Sequence, residues 1–168
     1  MGQKIKLAII IFLAVVLQIS FFPGLTSGKI VPDVVLVLII LWSSRKKFED
    51  IWLWALIGGL ILDIAVFGKV GINAFSFILI SFMASFLKER FFIAQRTGSF
   101  LIALALVAGG TILNWLLTNF LADFSINFSV NLMIMKIIGN LIIAIFLYLI
   151  ISKFKEFFGI SESKLAVK

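Results

Sequence analysis

The chain has 168 residues, 62% of them hydrophobic and only 14% charged, with a mean hydropathy of +1.22 and a net charge of +7. Ordinary soluble domains hold roughly 45–50% apolar residues, so this composition excludes a water-soluble globule and describes an all-α integral membrane protein. With no Cys and no His, disulfides, thiol catalysis, imidazole metal ligands and the commonest general base are excluded as well, and neither a metal nor a cofactor is expected.

A spanning helix needs about 20 mostly apolar residues. The opening "MGQKIKLAIIIFLAVVLQISFFPG" has the basic head of a signal peptide, but no small-x-small cleavage site follows. It reads as an uncleaved first span over residues 5–22. Next comes a short apolar segment, 30–43, opened by Pro32 and Asp33. Four further spans follow at 51–67, 70–87, 99–122 and 130–152, so residues 1–168 read as one transmembrane domain.

Charge decides whether the short segment crosses. If it does, Lys4, Lys6, Arg45, Lys46, Lys47, Lys88, Arg90, Arg96, Lys153, Lys155, Lys164 and Lys168 all face one side, against Lys29 and Lys69 on the other. That asymmetry satisfies the positive-inside rule and is lost if the segment is re-entrant. Six spans with both termini cytoplasmic are therefore expected. The basic charge is explained by topology and needs no nucleic acid; membrane lipids are the surroundings the chain is built for.

Three ionisable residues lie inside spans: Asp33, Asp63 and Lys136. A charge in hydrocarbon is costly, so such groups face the bundle interior and find partners. At 1.5 Å per residue, Asp63 lies about 6 Å below the outer end of its helix, Lys136 about 10 Å and Asp33 within about 5 Å. Lys136 is thus in reach of either aspartate. The plainer alternative has Lys136 snorkelling to the headgroups and Asp33 capping a helix start.

Small and neutral polar residues mark the inward faces. Ala55, Gly59 and Asp63 form one four-residue stripe. Gly110, Asn114 and Thr118 form a second, and Lys136, Asn140 and Ala144 a third, while Asn73, Ser81 and Ser85 share a face of the fourth span. Such stripes let helices approach closely. No catalytic residue emerges: two aspartates on different helices supply no general acid–base pair, and "VAGGT" lacks the lysine of a phosphate loop. Asp63 with Asn73, Asn114 and Asn140 can also line a small polar cavity, so the residues alone leave scaffold, transporter and substrate-binding subunit open.

The succession "VPDVVLVLIILW", a short basic loop and "GGLILDIAVFGKVGINAFSFILISFMASFLKERF" resembles the MreD family of rod shape-determining proteins. The likeness runs from Leu17 to Arg90 and is carried by Pro32-Asp33, the Gly59-to-Asp63 spacing, and Gly68 and Gly71 around a tight hairpin. Lys69-Val70-Gly71 stands where the family commonly has a Pro-Leu-Gly-like turn. The resemblance implies a non-enzymatic subunit of the bacterial cell-elongation complex in the cytoplasmic membrane. It would bind MreC directly and, through it, MreB, RodA and a class B penicillin-binding transpeptidase, maintaining rod shape and lateral peptidoglycan synthesis. The structural and partner-coupling residues are then Asp33, Gly59, Asp63, Gly71, Asn73, Asn114, Lys136 and Asn140. The family is also similar in fold to the S-components of energy-coupling-factor transporters, so a vitamin-binding subunit or other small transporter is the alternative. Against it, Ala8 and Ala14 are six apart rather than in an Ala-x-x-x-Ala pattern, and no long outer loop is available to close over a vitamin.

Overall fold

The computed structural model describes residues 2–26, 31–67, 69–91, 98–123 and 129–154. Gly68, Lys29, Arg96, Lys155, Lys164 and Lys168, all used in the sequence reading, lie outside these, as does the Arg90 side chain.

Regular structure among the described residues is entirely helical. The first rod comprises α1 (Gly2–Val16), a π-helical turn at Leu17–Phe21 and α2 (Phe22–Thr26). Then come α3 (Val34–Ser43), α4 (Phe48–Ala65), α5 (Ile72–Phe91), α6 (Gly98–Asp123) and α7 (Val130–Lys153). Segments 4–24, 100–121 and 130–153 are long and apolar enough to cross a membrane, whereas α3 and residues 72–88 of α5 are shorter apolar helices. The segment expected at 51–67 is shifted toward its start: α4 begins at Phe48. Glu49 and Asp50 in its first turn complement the positive end of the helix dipole.

One end of the bundle carries Lys4, Lys6 and the α3–α4 turn with Arg45 to Lys47; the other carries the α4–α5 hairpin. These are called the basic end and the hairpin end. Between them, α3 forms the axis. A helix that is apolar all round has to be surrounded, and all ten residues of α3 are buried. It packs against the first rod and against α4, α5, α6 and α7 in turn. Ten residues make about 15 Å of helix, half the roughly 30 Å of a hydrocarbon core. The axial position is therefore filled from the basic end only to mid-depth.

The outward faces are apolar. Ile9, Phe12, Phe82, Phe86, Ile142, Phe146 and Leu149 are all more than half exposed. In water so much contiguous apolar surface is an aggregation hazard; in lipid it is ordinary solvent contact. The inward stripes are the reverse: Ala55, Gly59, Gly110, Asn140 and Ala144 are buried.

α4 and α5 run closest together, and Gly59 is the reason. A Cβ at Gly59 would lie 2.5 Å from the Ala74 nitrogen and 2.8 Å from the Asn73 carbonyl carbon, inside the neighbouring backbone. Gly110 meets side chains instead, with Ile40 Cδ1 2.6 Å from such a Cβ. The hairpin between α4 and α5 turns through two left-handed residues, Phe67 (φ 52°) and Gly71 (φ 103°). Glycine tolerates that conformation and phenylalanine is strained in it.

At the basic end Arg45 is held in place by α7. Its Nη2 donates to Ser152 Oγ at 2.9 Å, and its guanidinium stands 4.6 Å from the centre of the Tyr148 ring. Burial lowers the Arg45 pKa, an effect Tyr148 opposes. Lys88 Nζ donates to the Lys46 carbonyl at 3.3 Å, tying α5 to the same turn.

Candidate functional site

The three ionisable residues Asp33, Asp63 and Lys136, with several amide side chains, gather near the hairpin end into two centres with different chemistry. The first is built on Asp33, just before α3. Lys136 Nζ, on α7, lies 2.8 Å from Asp33 Oδ2. Gln18 Nε2 donates to Asp33 Oδ1 at 3.2 Å, and Asn114 Nδ2, on α6, reaches Asp33 Oδ2 at 3.5 Å. The Asp33 backbone N–H donates to Asn140 Oδ1 at 2.7 Å; Asn140 Nδ2 donates to Thr111 Oγ1 at 2.8 Å, whose hydroxyl donates to the Val107 carbonyl at 2.7 Å. One network thus joins the first rod, α3, α6 and α7.

The aspartate stands at the N-cap position of α3 without capping it through its side chain. Gln18 does that work from another helix: its Oε1 accepts the Val35 N–H at 3.1 Å. A helix start leaves its first N–H groups unsatisfied, and buried ones need partners. The π-helical turn at Leu17–Phe21 contains Gln18 and locally resets which residues of the rod face inward.

The second centre is Asp63. Its carboxylate accepts the Gly71 N–H at 2.8 Å, the Asn73 N–H at 3.1 Å, the Ala74 N–H at 3.4 Å and the Asn73 side-chain amide at 2.8 Å. Asp63 therefore caps the start of α5 from across the hairpin, where the helix dipole also favours a negative charge. Of the two aspartates within reach of Lys136 by depth, Asp33 takes it, and Asp63 caps instead. Spacing along α4 cannot reveal this, because the four donors to Asp63 come from beyond a turn whose geometry rests on Phe67 and Gly71.

All eight residues singled out by sequence lie in or beside these centres. Asp33, Asn114, Asn140 and Lys136 come together; Asp63, Gly71 and Asn73 come together around the hairpin; Gly59 sets the α4–α5 distance. Two participants carried weaker signals. By sequence, Gln18 stands out only beside Asp33, Asp63, Asn73 and Lys136 as a polar residue an outer pocket would use, and Thr111 only as the residue after "VAGG".

Above the N-terminal end of α3 lies a cavity of about 460 Å³. Its polar lining is Gln18, Asp33, Asn73, Asn114, Thr118 and Lys136; Ile19, Pro23, Val31, Leu62, Ala65 and Val66 supply apolar wall. Every helix around the axis contributes, because the cavity is the part of the axis that α3 does not reach. Among the described residues no three His, Cys, Asp or Glu are grouped as a metal would require.

Among the described residues, the Asp63 carboxylate and the Lys136 ammonium share no hydrogen-bond partner. Asp63→Asn leaves one acceptor oxygen facing four donors and is expected to cost about 1.5–3 kcal/mol, the scale of hydrogen bonds to a charged group. In thermal or denaturant unfolding of the detergent-solubilised protein, combining Asp63→Asn with Lys136→Met should add to within about 0.5 kcal/mol, as for residues sharing no partner. A larger coupling would show that Asp63 and Lys136 interact.

A family model described as rod shape-determining protein MreD matches residues 1–158 of the chain. No curated protein and no solved structure matches it.

Proposed function

From the chain's membership of the MreD family of rod shape-determining membrane proteins, we propose that it is a non-enzymatic subunit of the bacterial cell-elongation complex that binds MreC. In this reading it crosses the cytoplasmic membrane six times as a single bundle of the S-component type, with the basic end in the cytoplasm. MreB, RodA and a class B penicillin-binding transpeptidase are reached through MreC, and the work done is to hold the complex together for lateral peptidoglycan synthesis.

The observation that carries this reading is the family match over residues 1–158. Consistent with it, the two aspartates inside the spans hold helices together: Asp63 binds α5, and Asp33 binds Lys136, Gln18 and Asn140. An interaction subunit needs a fixed arrangement of helices from which to present its lipid-exposed faces. In this role Asp33, Asn114, Lys136 and Asn140 set the axis, and Gly59, Asp63, Gly71 and Asn73 set the α4–α5 pair.

Two measurements test it. Depleting the protein in its own rod-shaped host should give rounded cells, and tagged protein extracted in mild detergent should bring down MreC. A growth defect cured by an added vitamin, with rod shape kept, would decide for uptake instead.

A further inference from the structure

From the cavity above α3 we infer a binding site for a small zwitterion, a molecule carrying an ammonium group and an anionic oxygen a few bonds apart. The volume, about 460 Å³, lies within the 300–1,000 Å³ usual for small-molecule sites. Its lining is mixed in the way such sites are, with apolar wall from Pro23, Leu62, Ala65 and Val66 beside a few convergent polar groups.

The chemistry of the ligand follows from the charges. Lys136 has three N–H donors and Asp33 occupies one of them. Its side chain is 26% exposed, against 9% for that of Asp33. An anionic oxygen is thus drawn to the lysine, but a lone anion arriving there also meets the Asp33 charge, and a lone cation meets Lys136. At such distances in a poorly solvated site these repulsions are large. A zwitterion brings no net charge into a cavity that has none, and sets its own dipole against that of the pair.

Acceptors for the ammonium are present. Asn114, 3% exposed, lines the cavity, and its side-chain oxygen is buried with no hydrogen-bond partner. Buried polar atoms are almost always satisfied, and an orphan marks a missing partner. Thr118 gives its hydroxyl hydrogen to the Asn114 and Trp115 carbonyls, which leaves its oxygen free to accept. Asn114 and Thr118 lie one turn apart on α6, and both line the cavity.

The same chemistry has two sources, a water-borne zwitterion and the headgroup of phosphatidylethanolamine. The test uses purified full-length protein and glycerophosphoethanolamine, the soluble form of that headgroup. Its half-molecules, glycerol 3-phosphate and ethanolamine, serve as controls. Glycerophosphoethanolamine is expected to raise the unfolding temperature saturably, as a ligand of the native state does, while neither half does so. In native mass spectrometry one phosphatidylethanolamine should be retained over phosphatidylglycerol. Thr118→Trp on α6 and Ala65→Phe on α4 fill the cavity from two sides and should abolish both effects while the unliganded protein stays folded. Lipid retention without a soluble effect assigns the site to the headgroup, and a soluble effect without lipid retention assigns it to a water-borne ligand. The inference is overturned if neither effect appears, if either half-molecule stabilises as well as the whole, or if both cavity-filling variants respond like the parent.

Discussion

Lys136→Met is expected to destabilise the protein by about 3 kcal/mol, near the lower edge of what breaking a buried pair costs in soluble proteins. Asp33→Asn should cost nearer 1 kcal/mol, the scale of polar contacts within membrane bundles. The asymmetry comes from the two side chains. The Asp33 carboxylate is short, 9% exposed and fixed beside α3. Without Lys136 it keeps, among the described residues, Gln18 and Asn114 as side-chain donors and loses its counter-charge. Lys136 is long and partly exposed, so when the aspartate is neutralised it can swing toward the hairpin end and be hydrated. Asparagine at position 33 meanwhile still accepts from Gln18. The double variant should cost less than the sum of the singles, because neither leaves its partner behind. Unfolding in mild detergent measures all three, and equal effects of the two single variants with full additivity would remove the ion pair from the list of forces holding α3 to α7.

Gly59→Val is expected to be the most disruptive apolar substitution in the chain, costing above about 3 kcal/mol and lowering membrane abundance severalfold. Over-packing is usually tolerated by rotating a neighbouring side chain. At Gly59 the neighbour is the backbone of Asn73 and Ala74, so α4 and α5 have to separate, and in separating they pull the Asp63 carboxylate away from the N–H groups it caps. Even Gly59→Ala brings the clash, since a single Cβ suffices. Gly109→Ala, next to Gly110 in the chain but with no atom within 4 Å of its Cβ, is the matched control and should be neutral or slightly stabilising, as alanine is the better helix former by about 1 kcal/mol. Equal tolerance at the two positions would mean that the α4–α5 approach is looser than the structure has it.

Several of these features were legible before any coordinates. The four-residue stripes of Gly59 with Asp63, Gly110 with Asn114 and Lys136 with Asn140 point inward because a residue that is small or polar is wasted or costly against lipid, and the helical repeat then fixes the face. By sequence the segment that forms α3 reads only as a short span, and its place at the axis comes from the structure. Less could be said of contacts across helices. Gln18 could not be matched to Asp33 and Val35, because the π-helical turn changes the register of its own helix. Thr111 is an ordinary hydroxyl until Asn140 is placed beside it.

By itself the sequence determined that this protein lives in a membrane, which residues its helices turn inward, and the family it resembles, because hydropathy and helical period are properties of a segment alone. Only the tertiary structure decided that Lys136 takes Asp33 while Asp63 caps α5, and that a short axial helix leaves a polar cavity above it. Choosing between two aspartates of similar depth depends on where neighbouring helices stand and what a turn of six residues presents, and those are properties of no single segment.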